Sequence, residues 1–336
     1  AVNNGTTALQ LAYQSLGLSE GDKFITTPNT FVATANAGVS LGAEPVFLDI
    51  NPKTYTLSVD QVEDYLKKND PSSIAGITTV HFAGYPAELE RLSRIAEEHD
   101  LFILEDACHA PGAEWTDSQG TSHKIGSCEL SDAAIMSFHP VKHFTTGEGG
   151  AILTNDQELY DSIDRLRHHG IVKDQEKLER DCDEPWYYEM QSPGLNGRIT
   201  DFQCALGSSQ LEKLDPFLEK RLEIAERYRS AFSDLGEIRC QKKDQRKNAY
   251  HIFVVEAENR NQLFEYLMDH KISPQVHYIP VYRHPFYQKN FDFDPGRFPN
   301  TEKYYQRALT LPIFPELEES QQEHVIDTIK NFYQTN

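Results

Sequence analysis

Two charged residues stand out by where they fall in the chain. The short apolar run Leu101–Leu104 passes directly into Glu105-Asp106, followed by Ala107, Cys108 and His109. Thirty-six residues after Asp106 (142 − 106), a second run of the same kind has closed on Ser137, Phe138, His139, Pro140, Val141 and Lys142, and Thr145-Thr146-Gly147-Glu148-Gly149-Gly150 follows. An acid at the carboxyl end of a strand sits where α/β sheets bind ligands. A lysine among small, flexible residues can lose its water and act as a nucleophilic amine. Upstream, Asn4-Gly5-Thr6-Thr7 precedes a helical pattern and offers backbone N–H groups and hydroxyls to a phosphate. An acid, a lysine and a phosphate cradle on one sheet are the parts that pyridoxal phosphate chemistry needs. The lysine condenses with the aldehyde, the acid keeps the pyridine nitrogen protonated, and the helix N-terminus takes the phosphate.

Other chemistries lack their motifs. No GxGxxG follows a strand and no GxxxxGK[ST] is present, so dinucleotide and P-loop sites have no support. HExxH and GxSxG are absent as well. The five cysteines (Cys108, Cys128, Cys182, Cys204, Cys240) are widely spaced and form no CxxC pair, so neither a metal site nor a disulfide framework is expected. Isolated thiols fit a reducing cytoplasm, with Cys108 and Cys204 expected as small buried hydrophobes.

The elements that must position these residues alternate. Lys23–Thr27, Pro45–Asp49, Ala75–Val80, Leu101–Leu104, Ala133–Ser137 and Gly150–Leu153 read as strands, and Thr7–Leu18, Ser58–Lys67 and Ala87–His99 as helices. That pattern predicts an α/β fold with a mostly parallel sheet covered on both faces. Helical periodicity from Gly207 to Phe232 runs past Asp215-Pro216, where a new helix is expected to start. The expected division is a large cofactor-binding unit over residues 1–215 and a smaller C-terminal α+β unit over 216–336. Lys173–Glu184 carries nine charged residues in twelve and reads as a solvated loop.

With 336 residues, 39% hydrophobic and 25% charged, the chain has a globular composition and room for about two domains. Lys+Arg 32 against Asp+Glu 52 gives a net charge of −20, which argues against nucleic acid as a partner. No apolar run approaches the ~18 residues of a membrane span.

The motifs NGTTAL, PNTFVATANA, LEDACHAPGA, SFHPVKHFTTGEGGA and GLNGRITDFQCALG occur in this order and span most of the chain. In that combination the sequence resembles the DegT/DnrJ/EryC1/StrS family of pyridoxal-phosphate-dependent sugar aminotransferases. The resemblance implies the fold-type-I architecture. PWYYEMQSPG and VHYIPVYRHPFYQ, with SFHPVK before TTGEGG, narrow it to members that aminate C4 of a UDP-linked 4-keto-6-deoxy-N-acetylhexosamine at the expense of L-glutamate. It implies Lys142 as the Schiff-base lysine, Asp106 at the pyridine nitrogen, and His109 near the ring's phenolic oxygen. Phe31 would stack on the ring, and Thr6, Thr7 and Ser137 would hold the phosphate. Asn196 is implied to reach the phosphate in the neighbouring subunit, making the catalytic unit a homodimer. His139, Arg198, His277 and Tyr278 are implied on the substrate side. Two departures are visible. Family members usually carry a further helix and strand before NGTTAL, so an N-terminal segment is expected to be missing, and residue 197 is Gly where an aromatic residue is common.

Each assignment has a plainer rival. Lys142 could be a surface lysine, Asp106 a helix cap, Phe31 core, Asn196 a turn residue, and His277 and Tyr278 packing. His139 and His143 could be hydrogen-bonded loop histidines. A branch of the family has histidine in place of the lysine and acts as a dehydratase; here Lys142 aligns with SFHPVK and His143 falls one place later. A non-catalytic cofactor-binding protein of the same fold, or the same chemistry on a GDP- or dTDP-linked ketosugar, are the other readings.

Overall fold

Short strands whose two faces are both apolar must be covered on both sides, and helices cover them here. In the computed structural model, which describes residues 1–182 and 184–335, the chain begins α1 (Gly5–Ser15), β1 (Lys23–Thr26), α2 (Ala33–Val39), β2 (Glu44–Phe47), α3 (Val59–Lys68), β3 (Ile74–Val80), α4 (Leu89–His99) and β4 (Phe102–Asp106). It continues β5 (Glu114–Thr116), β6 (Ser122–Lys124), β7 (Ala133–Ser137), β8 (Gly150–Leu153), α5 (Gln157–Leu166), β9 (Ile171–Val172) and β10 (Glu189–Met190). Then come α6 (Asp201–Leu211), α7 (Leu214–Ala231), β11 (Ile238–Cys240), β12 (Phe253–Ala257), α8 (Arg260–Asp269), α9 (Pro285–Asn290), α10 (Pro299–Arg307), β13 (Ala308–Leu311) and α11 (Glu319–Thr335).

The main sheet has the order β2-β1-β3-β4-β7-β8, parallel throughout except for the antiparallel edge pair β7–β8. Adjacent residues on each strand enter different cores. Phe24, Phe102 and Leu104 pack with Tyr13 and Leu11 of α1, whereas Ile25 and Ile103 pack with Val62 of α3 and Leu92 and Ile95 of α4. The strand order reverses direction between β1 and β3, and the cleft at such a switch is where parallel sheets place ligands.

The helical periodicity expected from Gly207 breaks at Glu212–Lys213 into α6 and α7, with Pro216 in the first turn of α7. Along α7, Leu218 packs under the main sheet, while Ile224, Ala225 and Tyr228 join the core of the β11-β12-β13 sheet. One helix therefore serves both cores, and a cut at 215/216 falls in its first turn. The aromatic segment 276–298 folds back onto α2 and β2, where Tyr282, Tyr287 and Phe298 pack against Ala35 and Phe47. α6 is different: none of its residues is buried, and Phe202 is 92% exposed. No helix among the described residues is long and apolar enough to cross a membrane.

Close approach of β3 to β4 depends on Gly76. A Cβ there would fall 2.3 Å from the Phe102 ring. Gly76→Ala should therefore lower unfolding free energy by about 1–3 kcal/mol through overpacking, read from the urea midpoint. Phe102→Leu added to it should recover part of the loss, and an unchanged midpoint in the single variant would contradict the packing.

Candidate active site

The site begins at the front of α1. Asn4 caps the helix by accepting a hydrogen bond from the Thr7 N–H at 2.8 Å, so the helix starts before the threonines. Thr6 and Thr7 thus lie in the first turn, among N–H groups with no intrahelical partner. Gly5 lets this turn meet the end of β7: a Cβ on Gly5 would stand 3.0 Å from Ser137 Cβ. The result is a concave patch of N–H groups and the Thr6, Thr7 and Ser137 hydroxyls, suited to a phosphate.

Asp106 ends β4 and is 6% exposed. A buried carboxylate needs donors, and it has them. Thr34 Oγ1 donates to Oδ2 at 2.7 Å, and the Cys108 N–H donates to Oδ1 at 3.2 Å. Thr34 is itself fixed by the Thr30 hydroxyl at 2.9 Å and by Tyr13, whose hydroxyl donates to the Thr34 carbonyl at 3.0 Å.

Lys142 sits on a turn after β7, its N–H bonded to the His139 carbonyl at 2.9 Å. Its amine has no hydrogen-bond partner among the described residues. Burial holds its pKa below the ordinary lysine value, against the opposing pull of Cys108 and Asp106. Lys142 and Asp106 line one cavity of about 620 Å³, with the Thr6, Thr7 and Ser137 patch at one side. Phe31 flanks it and is 57% exposed, so the core reading of this residue is overturned. His109, His139, His277 and Tyr278 line the same cavity. His109 Nε2 meets the Tyr278 hydroxyl at 3.1 Å, and its buried Nδ1 has no partner. His139 is exposed, with Nε2 3.9 Å from Glu148.

Histidines crowd Lys142. His143 is buried and hydrogen-bonded through Nε2 to the Ala249 carbonyl at 2.9 Å, so the hydrogen-bonded reading of His143 holds. Its pKa is pushed down to about 3, first by burial and then by the Arg221 charge. That of His277 falls to about 4, by burial and then by Lys142. Burial, and then the Lys142 charge, also hold His109 and His251 well below the ordinary histidine value.

Asn196 and Arg198 lie elsewhere. Both are exposed, and neither lines the Lys142 cavity of its own chain. Arg198 borders a second cavity of about 650 Å³ together with Arg165 and His168. Gly197 is closely packed: a Cβ there would stand 3.0 Å from Leu195 Cδ1 and 3.1 Å from Thr7 Cγ2, so a side chain at this position would require those neighbours to shift. Cys108 is half-buried at the cavity wall, and Cys204 is exposed on α6, which corrects the expectation that both are buried hydrophobes. Sequence reasoning missed Thr34 and His251. Thr34 could have been found as a polar residue inside PNTFVATANA; no local signal marks His251.

A half-buried lysine whose amine has no partner among the described residues, a carboxylate with both oxygens held, and a helix N-terminus ringed by hydroxyls at the carboxyl ends of parallel strands define a pyridoxal-phosphate-dependent transferase of fold type I, and the residues present fit that cofactor. Residues 1–330 match the DegT/DnrJ/EryC1/StrS aminotransferase family. The chain belongs to this family of pyridoxal-phosphate-dependent aminotransferases. It is 37% identical over 334 residues to a UDP-4-amino-4,6-dideoxy-N-acetyl-beta-L-altrosamine transaminase of Campylobacter jejuni, covering 98% of this chain and 83% of that one. It is also 37% identical over 339 residues to the spore coat polysaccharide biosynthesis protein SpsC of Bacillus subtilis, covering 98% and 84%. Among solved structures, Helicobacter pylori PseC, an aminotransferase involved in the biosynthesis of pseudoaminic acid, superposes with a TM-score of 0.89 at 28% identity, covering 100% of this chain and 86% of that one.

The buried neutral histidines predict acid sensitivity. His143 and His277 bind a proton in the fold only near pH 3 and pH 4, whereas an unfolded histidine binds one near 6.5. Between those values the unfolded chain holds more protons, so stability is full above pH 6.5 and falls as the pH drops. The urea midpoint should decline from pH 7 to pH 5, and His143→Gln should flatten that decline. A midpoint equally steep with and without His143 would contradict the assignment.

Proposed function

We propose that this chain moves an amino group from L-glutamate to C4 of a UDP-linked 4-keto-6-deoxy-N-acetylhexosamine, in the cytoplasm, as a step of amino-sugar biosynthesis. The observation that carries the reaction is the Lys142–Asp106 cavity with its phosphate patch. The substrate rests on the similarity, over nearly the whole chain, to the transaminase of that sugar.

When bound, pyridoxal phosphate supplies a ring that draws off the electron pair released at the reacting carbon. The residues do the rest. Thr6, Thr7 and Ser137 with the α1 N-terminus hold the phosphate. Asp106 would hold a proton at the pyridine nitrogen, and the Thr34 hydroxyl fixes one oxygen of its carboxylate. Lys142, whose lowered pKa makes a neutral amine accessible, moves the proton at the reacting carbon. Phe31 would cover one face of the ring, and His109 would meet its phenolic oxygen. His139, His277 and Tyr278 meet the substrate.

The donor needs more than this cavity offers. Glutamate carries two carboxylates, and no arginine lines the Lys142 cavity among the described residues. We infer that the site is completed by a second copy: Asn196 reaches the partner's phosphate site and Arg198 its substrate side. The exposed loop bearing them, and α6 with Phe202, Leu206 and Leu211 uncovered, support a two-fold interface.

Mass spectrometry of the product from a panel of UDP-, GDP- and dTDP-linked 4-ketosugars tests the substrate. Amination of the UDP-linked N-acetylhexosamine is expected. Turnover of only the GDP or dTDP compounds would reassign the nucleotide, and no turnover despite a bound cofactor would leave a binding protein. Borohydride should fix a pyridoxyl group on Lys142; a label on Lys124 or Lys173 would refute its role.

Shared sites have their own test. Lys142→Ala and Asn196→Asp chains are each expected to be inactive, the second because a carboxylate would face the phosphate. In a mixed dimer one site inherits both lesions and the other neither. Activity should return towards about a quarter of the parent level once subunits exchange, following the random pairing of two chains around one two-fold axis. No recovery would place Asn196 within its own chain's site.

A further inference from the structure

His251 enters the Lys142 cavity from the residues just before β12, and none of the roles above uses it. Its backbone is fixed on both sides: its N–H donates to the Ala83 carbonyl at 3.1 Å, and its carbonyl accepts from Arg221 Nη1, also at 3.1 Å. The residue is 7% exposed, its Nδ1 is buried without a partner, and no hydrogen bond to the ring is found among the described residues. It lies face-tilted on His109, with ring centres 4.4 Å apart, and 5.4 Å from His143. Buried polar atoms are nearly always paired, so an unpaired imidazole on a residue that lines a cavity carries hydrogen-bonding capacity that no described group uses.

The surroundings limit what that is. The charged groups that act on this ring are Lys142 and Arg221; the other neighbours are the imidazoles of His109 and His143. Arg221 is buried, and its Nη1 is spent on the carbonyls of Tyr250, His251 and Ile313. Burial first, and then the nearby Lys142 charge, hold His251 neutral, and a neutral imidazole keeps one acceptor lone pair. The unpaired donor in the same cavity is the Lys142 amine.

We propose that His251 is a positioning residue for Lys142: its ring accepts a hydrogen bond from the lysine amine whenever that amine is not bonded to the cofactor, and so holds it at the reacting carbon. This rests on reading Lys142 as the cofactor lysine. A flexible amine freed in a cavity of this size would otherwise sample many rotamers, and an acceptor carried in on a rigid backbone selects one of them. The acceptor also favours the charged form of the amine, opposing burial.

His251→Phe keeps the flat ring and its stacking but removes the acceptor; His251→Gln keeps an acceptor. The holoenzyme is first treated with glutamate, which frees the amine, and Lys142 is then labelled with an amine-reactive probe across pH and read by mass spectrometry. The half-labelling pH should fall by about one unit in His251→Phe and stay close to the parent in His251→Gln. In single turnover with glutamate the Phe variant should lose about tenfold in rate with little change in KM, and the Gln variant should recover most of it. If the Phe variant does not fold, His251→Met, which also lacks a strong acceptor, takes its place. A Phe variant matching the parent in labelling and rate would overturn the proposal, as would Phe and Gln variants equally slow with a raised KM. Failure of borohydride to label Lys142 would instead remove the reading beneath it, so the two failures are distinguishable.

Discussion

The Thr34 hydroxyl reaches Asp106 Oδ2 at 2.7 Å, and the Cys108 N–H reaches the other oxygen at 3.2 Å. Much of the local architecture follows from keeping a carboxylate in that place. A charge removed from water must be given donors, and β4 can supply only those that follow it in the chain. The remaining donor comes from α2, which therefore has to begin close beside the end of β4. Tyr13 fixes α2 from below by bonding both the Thr34 carbonyl and Thr78 of β3, and its ring packs on Phe24 and Phe102. The first helix, the second helix and three strands are thus locked together around one buried carboxyl group. The same first helix presents its N-terminus to the Thr6, Thr7 and Ser137 patch, so the groups proposed to hold the two ends of the cofactor share one rigid frame.

The opposite wall of the cavity is built on the contrary principle. Around Lys142 the protein places imidazoles that cannot charge, backed by the buried guanidinium of Arg221. A wall of carboxylates would pin the amine as an ammonium ion; a wall of neutral rings adds no such charge and leaves burial the largest influence on proton release. The price is several unpaired ring nitrogens, those of His109, His143 and His251. Such a wall requires the β12 edge to press against the lysine turn, which the His143–Ala249 bond secures.

Local pattern made much of this legible. Ala133–Ser137 and Gly150–Leu153 form strands with the bounds that their apolar runs and flanking turn residues imply, and Asp106 lies at a strand end as its position after Leu101–Leu104 suggests. The break between α6 and α7 came earlier than Asp215-Pro216 because proline fits the first turn of a helix and does not fix where the turn begins. Phe31 is apolar by type but stands at the rim of the cleft, which no periodicity records. Thr34 and His251 were missed for a different reason. Thr34 meets Asp106 across 72 residues of chain, and His251 introduces an apolar strand, HIFVV, in which it reads as one more half-buried residue. Their meaning lies in contacts that only the folded sheet creates.

The uncovered helix α6 connects these local arrangements to assembly. Gln203 at its start donates to the Glu148 carbonyl, and Gly207 brings its backbone against Thr146, where a Cβ would fall 2.8 Å from Thr146 Cγ2. The Thr145–Gly150 turn is the return path of the lysine loop, so α6 rests directly on the segment that carries Lys142. A helix with no buried residue has little of its own to hold it, since helical stability in proteins comes mainly from packing of an apolar face. In the proposed dimer the partner supplies that packing, and the surface that covers Phe202 would also steady the lysine loop beneath. The loop with Asn196 and Arg198 runs straight into α6 through the Thr200 capping box. Covering the helix, presenting Arg198 across the interface and stiffening the lysine turn are then consequences of one contact, and a separated subunit would lose all three together.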